Sequence, residues 1–228
     1  MEITTSASSK SFSYIAFFDL DRTITKAISG RALARGALKK GFMKGSDIAM
    51  AAYLGLAYRI GLADPVEIME KMTAWVKGLP EQALIDLCSE ISRYVMLPSI
   101  HTEVTGELEM HRSRNAKTVI LSSTLEPICR EVANNLNIDD IICSRLEVID
   151  GFFTGRPAGK LCYGDEKMKK IQEYCEINNN TPAKSWYYAD AFVDVPALSL
   201  VGFPICINPD RRLYKEAKKN GWIVYNWS

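Results

Sequence analysis

From Tyr14 onward the chain alternates between two hydrophobic rhythms. Tyr14-Ile15-Ala16-Phe17-Phe18 is an unbroken apolar run, short enough for a strand and apolar on both sides, as a strand buried between two layers must be. From residue 25 to about 111 the period becomes helical, with apolar positions recurring every three or four residues. The helical segments are 29–40, 47–62, 65–77, 80–96 and 99–113, with Ala63-Asp64-Pro65 and Gly78-Leu79-Pro80 as boundaries that admit Pro in a first turn. Strand signals return at Lys117-Thr118-Val119-Ile120-Leu121, which ends in Ser122-Ser123-Thr124. A helix over 126–136 follows. Between 141 and 154 two apolar runs flank Asp150-Gly151, a two-residue hairpin signal. An amphipathic helix at 164–176, a strand at 185–189 ending in Asp190, a strand at 203–207, a helix at 211–219 and a strand at 222–225 complete the chain.

Strands alternating with helices from Lys117 onward predict a parallel α/β sheet. The fold expected is a Rossmann-like parallel core with an inserted all-helical cap. The core takes residues 1–24 and 112–228, with 1–13 as a flexible polar tail, and the cap takes 25–111.

Charge and composition narrow the function classes. A net charge of +1 gives no overall pull toward nucleic acid, and no basic-aromatic binding module is visible. No stretch approaches the roughly 20 apolar residues of a membrane span, and residues 2–13 lack the apolar run of a secretory signal. The cysteines Cys88, Cys129, Cys143, Cys162, Cys175 and Cys206 include no CxxC pair, which suits a reducing compartment and a cytoplasmic location. His101 and His111 have no third partner, so both read as structural or surface residues.

The chemistry concentrates where strands end. Asp19 and Asp21 follow the first strand two residues apart, and Thr23 follows two further on. Desolvated carboxylates at the end of a buried strand are costly unless something compensates them. Residues two apart on an extended chain face the same way, so a cation and a transferable phosphoryl group would explain the pair. A turn with solvated caps is the plain alternative. In open parallel sheets ligands bind beyond the carboxyl ends of the strands, and Ser122 and Asp190 lie at two other such ends. Asp190 and Asp194 also suit a helix N-cap and a first-turn acid.

Four regions together resemble the haloacid dehalogenase superfamily, subfamily IB, in its phosphoserine-phosphatase-like branch with a helical cap. They are Phe18-Asp19-Leu20-Asp21-Arg22-Thr23, Ile120-Leu121-Ser122-Ser123-Thr124, Gly164-Asp165-Glu166-Lys167 and Ala189-Asp190-Ala191-Phe192-Val193-Asp194. The stretch Gly202-Phe203-Pro204-Ile205-Cys206-Ile207-Asn208-Pro209-Asp210 adds to the likeness. The resemblance implies a Mg²⁺-dependent phosphomonoester hydrolase acting through an aspartyl-phosphate. Asp19 would be the nucleophile and Asp21 the acid and base, with a carboxyl raised partly by Asp19 beside it. Ser122 would contact a phosphoryl oxygen, with Ser123 as phosphate or loop support. Thr23 would brace the loop, and Lys167 would offset charge, with Lys160 as the rival lysine. Asp19, the Asp21 carbonyl and Asp190 would hold Mg²⁺, and Asp194 would support that set from behind.

The chain departs from the phosphoserine pattern in two places. The branch places a glutamate nine residues after the nucleophile, where this chain has Ile28, and Ser123-Thr124 replaces the expected Gly-Gly. Arg22, Lys26, Arg31, Arg35, Lys39, Lys40 and Lys44 fall within 22–46 with no acidic residue among them. Arg31, Arg35 and Lys39 form one helical stripe, either a solvated face or a field for an anionic or lipid-like substrate. The expected substrate is a small or lipid-type phosphorylated metabolite. Phosphoserine itself, phosphotransfer to another acceptor, and a non-catalytic phosphate-binding module are the alternatives.

Overall fold

In the computed structural model, which describes residues 12–47, 49, 50, 53 and 73–228, the apolar run at Tyr14–Phe18 is strand β1. The other strands of its sheet are β2 (Ala116–Leu125), β3 (Asp140–Ser144), β6 (Trp186–Ala189), β7 (Phe203–Ile207) and β8 (Ile223–Tyr225). They form one six-stranded sheet in the order β3-β2-β1-β6-β7-β8, parallel throughout. Strand β1 therefore has a neighbour on each side, and because helices bury both faces of the sheet its sequence is apolar without alternation.

Helices cover both faces. They are α1 (Ser29–Lys39), α2 (Glu81–Ile91), α3 (Glu103–Ser113), α4 (Glu126–Leu136), α5 (Asp165–Ile177), α6 (Val195–Leu200) and α7 (Arg211–Asn220). The two-residue period of β1 sorts its side chains between them. Ala16 and Phe18 pack with Leu84, Leu87, Val104, Leu108 and Val132 of α2, α3 and α4. Ile15 and Phe17 pack with Ile171, Ala197, Leu198 and Leu213 of α5, α6 and α7. In β6 the same rule sends Tyr188 to the first face and Tyr187 to the second.

Several elements differ from their sequence patterns. The apolar region at 141–154 splits: Asp140–Ser144 joins the main sheet as β3, and the hairpin consists of β4 (Leu146–Ile149) and β5 (Phe152–Pro157) alone. Its turn is the expected one, with Asp150 at φ 51° and Gly151 at φ 80°. This hairpin pairs its backbone with the helical segment, through Gly78 N–H to Phe153 O (2.8 Å) and Phe153 N–H to Leu79 O (3.0 Å). The helix expected over 80–96 stops at Ile91 and continues as a π turn (Ser92–Met96) and a 3-10 turn (Leu97–Ser99). Helix α3 lies against the sheet: His111 bonds the hydroxyls of Tyr14 (2.9 Å) and Tyr188 (2.8 Å). Ser13 already pairs its N–H with Asn115 O. The expected helices at 47–62 and 65–77 fall mainly outside the described residues; within the described part of the second, Ala74–Val76 forms a 3-10 turn.

Candidate active site

Strand order decides which residues meet. With β2, β1 and β6 adjacent and parallel, Phe18 pairs with Ile120 on one side and Tyr188 on the other. Residues just beyond that row lie together at the carboxyl edge of the sheet, and these include Asp19, Ser122 and Asp190. All three are buried. A register shift between Leu121 and Leu125 lets β2 run on past Ser122, so the predicted strand end is an irregular continuation.

Asp19 faces Lys167, whose Nζ is 3.1 Å from Asp19 Oδ1. That contact is an ion pair without hydrogen-bond alignment, and Oδ1 makes no hydrogen bond. The hydrogen bonds of Lys167 go instead to Asp194 Oδ1 (2.7 Å) and the Tyr187 hydroxyl (3.0 Å). Tyr187 also donates to Asp194 Oδ1 at 2.8 Å. Lys167 sits in the first turn of α5, where a cation opposes the helix dipole, and the two carboxylates compensate it. Burial alone pushes the ammonium toward its neutral form, but Asp19 and Asp194 hold its pKa well above the usual lysine range. Burial raises the Asp19 carboxyl, with Lys167 pulling the other way. Lys160, by contrast, has a 73% exposed side chain and lies 3.4 Å from Glu166. The structure brings Lys167, not Lys160, to Asp19. Asp194 stands at the N-cap of α6 without capping it, because its Oδ1 is engaged by Lys167 and Tyr187.

The chain after β1 does not continue as a strand. It wraps around the Leu20 carbonyl, which accepts from the N–H groups of Ile24 and Thr25, both at 3.0 Å. Arg22 takes φ 61°, a left-handed conformation that costs a non-glycine residue energy. Its Nε lies 3.5 Å from Asp190 Oδ2. Bracing of the loop falls to Thr25, whose hydroxyl bonds Leu20 O (3.2 Å) and Ala27 O (3.3 Å). The Thr23 hydroxyl is buried and makes no hydrogen bond, so the structure does not give Thr23 the bracing contact expected of it.

Asp21 is pushed up to about 6 by burial, against the two hydrogen bonds it accepts from Ser29. Asp19 is only a lesser contributor, so desolvation, rather than the neighbouring carboxylate, dominates the shift. Asp190 is pushed up to about 8, by burial first and Asp19 second, with Arg22 opposing. The Ser122 hydroxyl lies beside the Asp19 carboxyl and donates to Thr124 Oγ1 at 3.3 Å. Ser123, half-buried on the alternate side of the strand, takes no part in that chain.

Sequence patterns missed Tyr187, Ser29, Thr124, Thr25 and Asp210. Asp210 N–H donates to Asp190 O, and its carboxylate accepts from Phe192 N–H, Arg212 N–H and Leu213 N–H, each bond 2.8–2.9 Å. It thereby clamps the Asp190 loop to the start of α7. An Asp before a helix is a readable cap signal, but its second partner is 18 residues away. The two histidines are structural. His111, buried between two tyrosines, is pushed down to about 4 by burial, and His101 Nδ1 contacts Ser228 O at 3.2 Å.

The model of the haloacid dehalogenase-like hydrolase family matches residues 16–199. The chain belongs to that family. A histidinol-phosphatase of Neisseria meningitidis is 28% identical over 218 residues, covering 93% of this chain and 98% of its own. A phosphoserine phosphatase of Mycobacterium tuberculosis is 26% identical over 213 residues, covering 92% and 69%. Among solved structures, a Bordetella pertussis protein of unknown function superposes with a TM-score of 0.82 at 24% identity, over 92% of this chain and 97% of its own. A phospho-aspartyl intermediate analogue of phosphoserine phosphatase does so at 0.70 and 16%, over 94% and 93%, a likeness of fold. With the family and these relatives, the chain is a phosphatase.

Proposed function

We propose that this family member is a Mg²⁺-dependent phosphomonoesterase that works through an aspartyl-phosphate on Asp19. The observation that carries the reading is Asp19 Oδ1: buried, beside a lysine ammonium, and free of hydrogen bonds. A carboxylate oxygen so placed keeps its lone pairs for phosphorus. Lys167 offsets the charge gathered by Asp19 and the phosphoryl group, and the Ser122 hydroxyl, directed at Thr124 in the free site, turns to donate to a phosphoryl oxygen when substrate enters. Asp21 gives a proton to the departing oxygen. It then takes one from the water that attacks the aspartyl-phosphate, and its pKa near 6 suits both tasks at neutral pH.

The residues present fit Mg²⁺. Asp19 and Asp190 are hard oxygen donors, and the Asp19 carboxylate raises the Asp190 carboxyl by repulsion. Mg²⁺ keeps several waters and takes one or two carboxylates, and these two supply them. Asp19, Asp190 and the Asp21 carbonyl would hold it, with Asp194 acting on Lys167 behind them. The ion would neutralise charge on the phosphoryl oxygens.

The substrate we propose is a small anionic phosphomonoester, with a lipid phosphate as the larger variant, met in the cytoplasm. Phosphoserine, named for several relatives, carries an ammonium group, and Ile28 offers it no acid. Lys26, Arg31, Arg35 and Lys39 instead line a groove of about 460 Å³ between α1 and α2, with Leu87, Ile91 and Tyr94 on its other wall, where the one acid, Glu90, is paired with Lys40. These four basic side chains make no ion pair among the described residues.

The test is Asp19→Asn assayed with an aryl phosphate in Mg²⁺. Loss of turnover and of a phosphoenzyme that survives acid quenching but is cleaved by alkali or hydroxylamine is expected, and a substantial fraction of the wild-type rate would sink the nucleophile. A phosphate-ester panel that includes phosphoserine ranks the substrates, and strong preference for phosphoserine would overturn the inference from Ile28.

A further inference from the structure

Ser29 is the first residue of α1 and is buried, and it holds Asp21 by both carboxylate oxygens. Its backbone N–H donates to Asp21 Oδ1 at 2.9 Å, and its hydroxyl donates to Asp21 Oδ2 at 2.7 Å. The same hydroxyl oxygen lies 2.8 Å from Thr124 Oγ1, which accepts from Ser122 Oγ at 3.3 Å. We propose that Ser29 is a positioning residue for Asp21, fixing the acid–base carboxyl and linking it through Thr124 to the phosphate-contacting Ser122. This rests on the acid–base reading of Asp21.

A carboxyl group on a loop turns about two side-chain bonds, and a single donor would leave one of them loose. Two donors from one residue fix both, which is what proton transfer to a departing oxygen requires of geometry. The backbone donor is available because the first N–H groups of a helix have no partner within it. The hydroxyl donor is oriented because each hydroxyl carries one hydrogen. With that of Ser29 directed at Asp21, Thr124 directs its own at Ser29, and Ser122 directs its own at Thr124. Removing the Ser29 hydroxyl therefore disturbs both ends of the chain, but Asp21 most directly. Because Ser29 opens α1, the carboxyl group and the start of that helix are held as one unit.

The experiment compares kcat/KM for p-nitrophenyl phosphate, whose leaving group departs as a stable anion, with n-propyl phosphate, whose leaving oxygen needs a proton. Ser29→Ala should lower the alkyl-to-aryl ratio by roughly ten-fold, and Ser29→Thr, which keeps both donors, should restore most of it. Equal losses on the two esters would mean a merely structural role and overturn the proposal. Asp21→Asn is measured alongside. If it lowers the ratio while Ser29→Ala does not, Ser29 does not position Asp21. If Asp21→Asn leaves the ratio unchanged, the acid–base reading itself fails. Should Ser29→Ala not fold, Thr124→Val strips the hydroxyl that orients Ser29, and an unchanged ratio in that variant also overturns the proposal.

Discussion

Lys167→Met keeps the unbranched stem of the side chain as far as Cε and removes its ammonium. In the native protein that ammonium is 3% exposed and lies 2.7 Å from Asp194 Oδ1 and 3.1 Å from Asp19 Oδ1. The variant leaves two carboxyl groups in a buried site with no cation between them. Breaking a buried ion pair from one side costs about 3–5 kcal/mol. With a urea slope of about 2 kcal/mol/M the unfolding midpoint should fall by roughly 2 M. The cost has a pH signature. Without Lys167 the Asp19 carboxyl, already raised by burial, rises further, so the folded state keeps a proton that the unfolded state has released. Stability is then present at low pH and lost as pH rises from the ordinary carboxyl value toward the folded one. Urea unfolding at about pH 5 and about pH 8 should show a larger deficit at the higher pH. Lys167→Met combined with Asp194→Asn should recover part of it, because only one uncompensated carboxyl then remains. A deficit below about 1 kcal/mol, independent of pH and unrelieved in the double variant, would refute the electrostatic account of Lys167.

Asp190, raised to about 8, should make the metal-free protein less stable as pH climbs toward that value, and Mg²⁺ should offset the loss by favouring the ionised form. The rise in melting temperature on adding Mg²⁺ should therefore be larger near pH 8 than near pH 6, and Asp190→Asn should abolish that difference. His111, lowered to about 4 from 6.5, works with the opposite sign. The unfolded chain binds the proton first, so stability should fall as pH drops from 6.5 through 4, by up to about 3 kcal/mol. Thermal melts of the wild type and His111→Gln across that range test this, and parallel curves would count against it.

Much of the site was legible because its residues fall at element ends. Asp19, Ser122 and Asp190 each follow a run of apolar or β-branched residues, and such runs mark strands from local pattern alone. Lys167 was less legible, since Lys160, Lys169 and Lys170 share its neighbourhood. Only packing separates them, by burying one and leaving Lys160 and Lys169 paired with Glu166. Asp194 reads locally as a helix cap, and its side chain is instead drawn to Lys167, 27 residues away. Ser29 and Thr124 meet across 95 residues. No periodicity reaches that far.

The linear pattern determined the parallel α/β core, the tight Asp150-Gly151 turn and the carboxylates at the strand ends. Each of these follows from side-chain period, turn chemistry or the cost of desolvated charge, all of which act between near neighbours in the chain. Tertiary structure alone decided that β1 lies between β2 and β6, so that three separate strand ends become one site. It also decided that desolvation dominates the raised pKa of Asp21, and that Ser29 holds that carboxyl. Burial and hydrogen bonding in the site depend on which distant segments the sheet order brings together, and so they are settled only once the chain has folded.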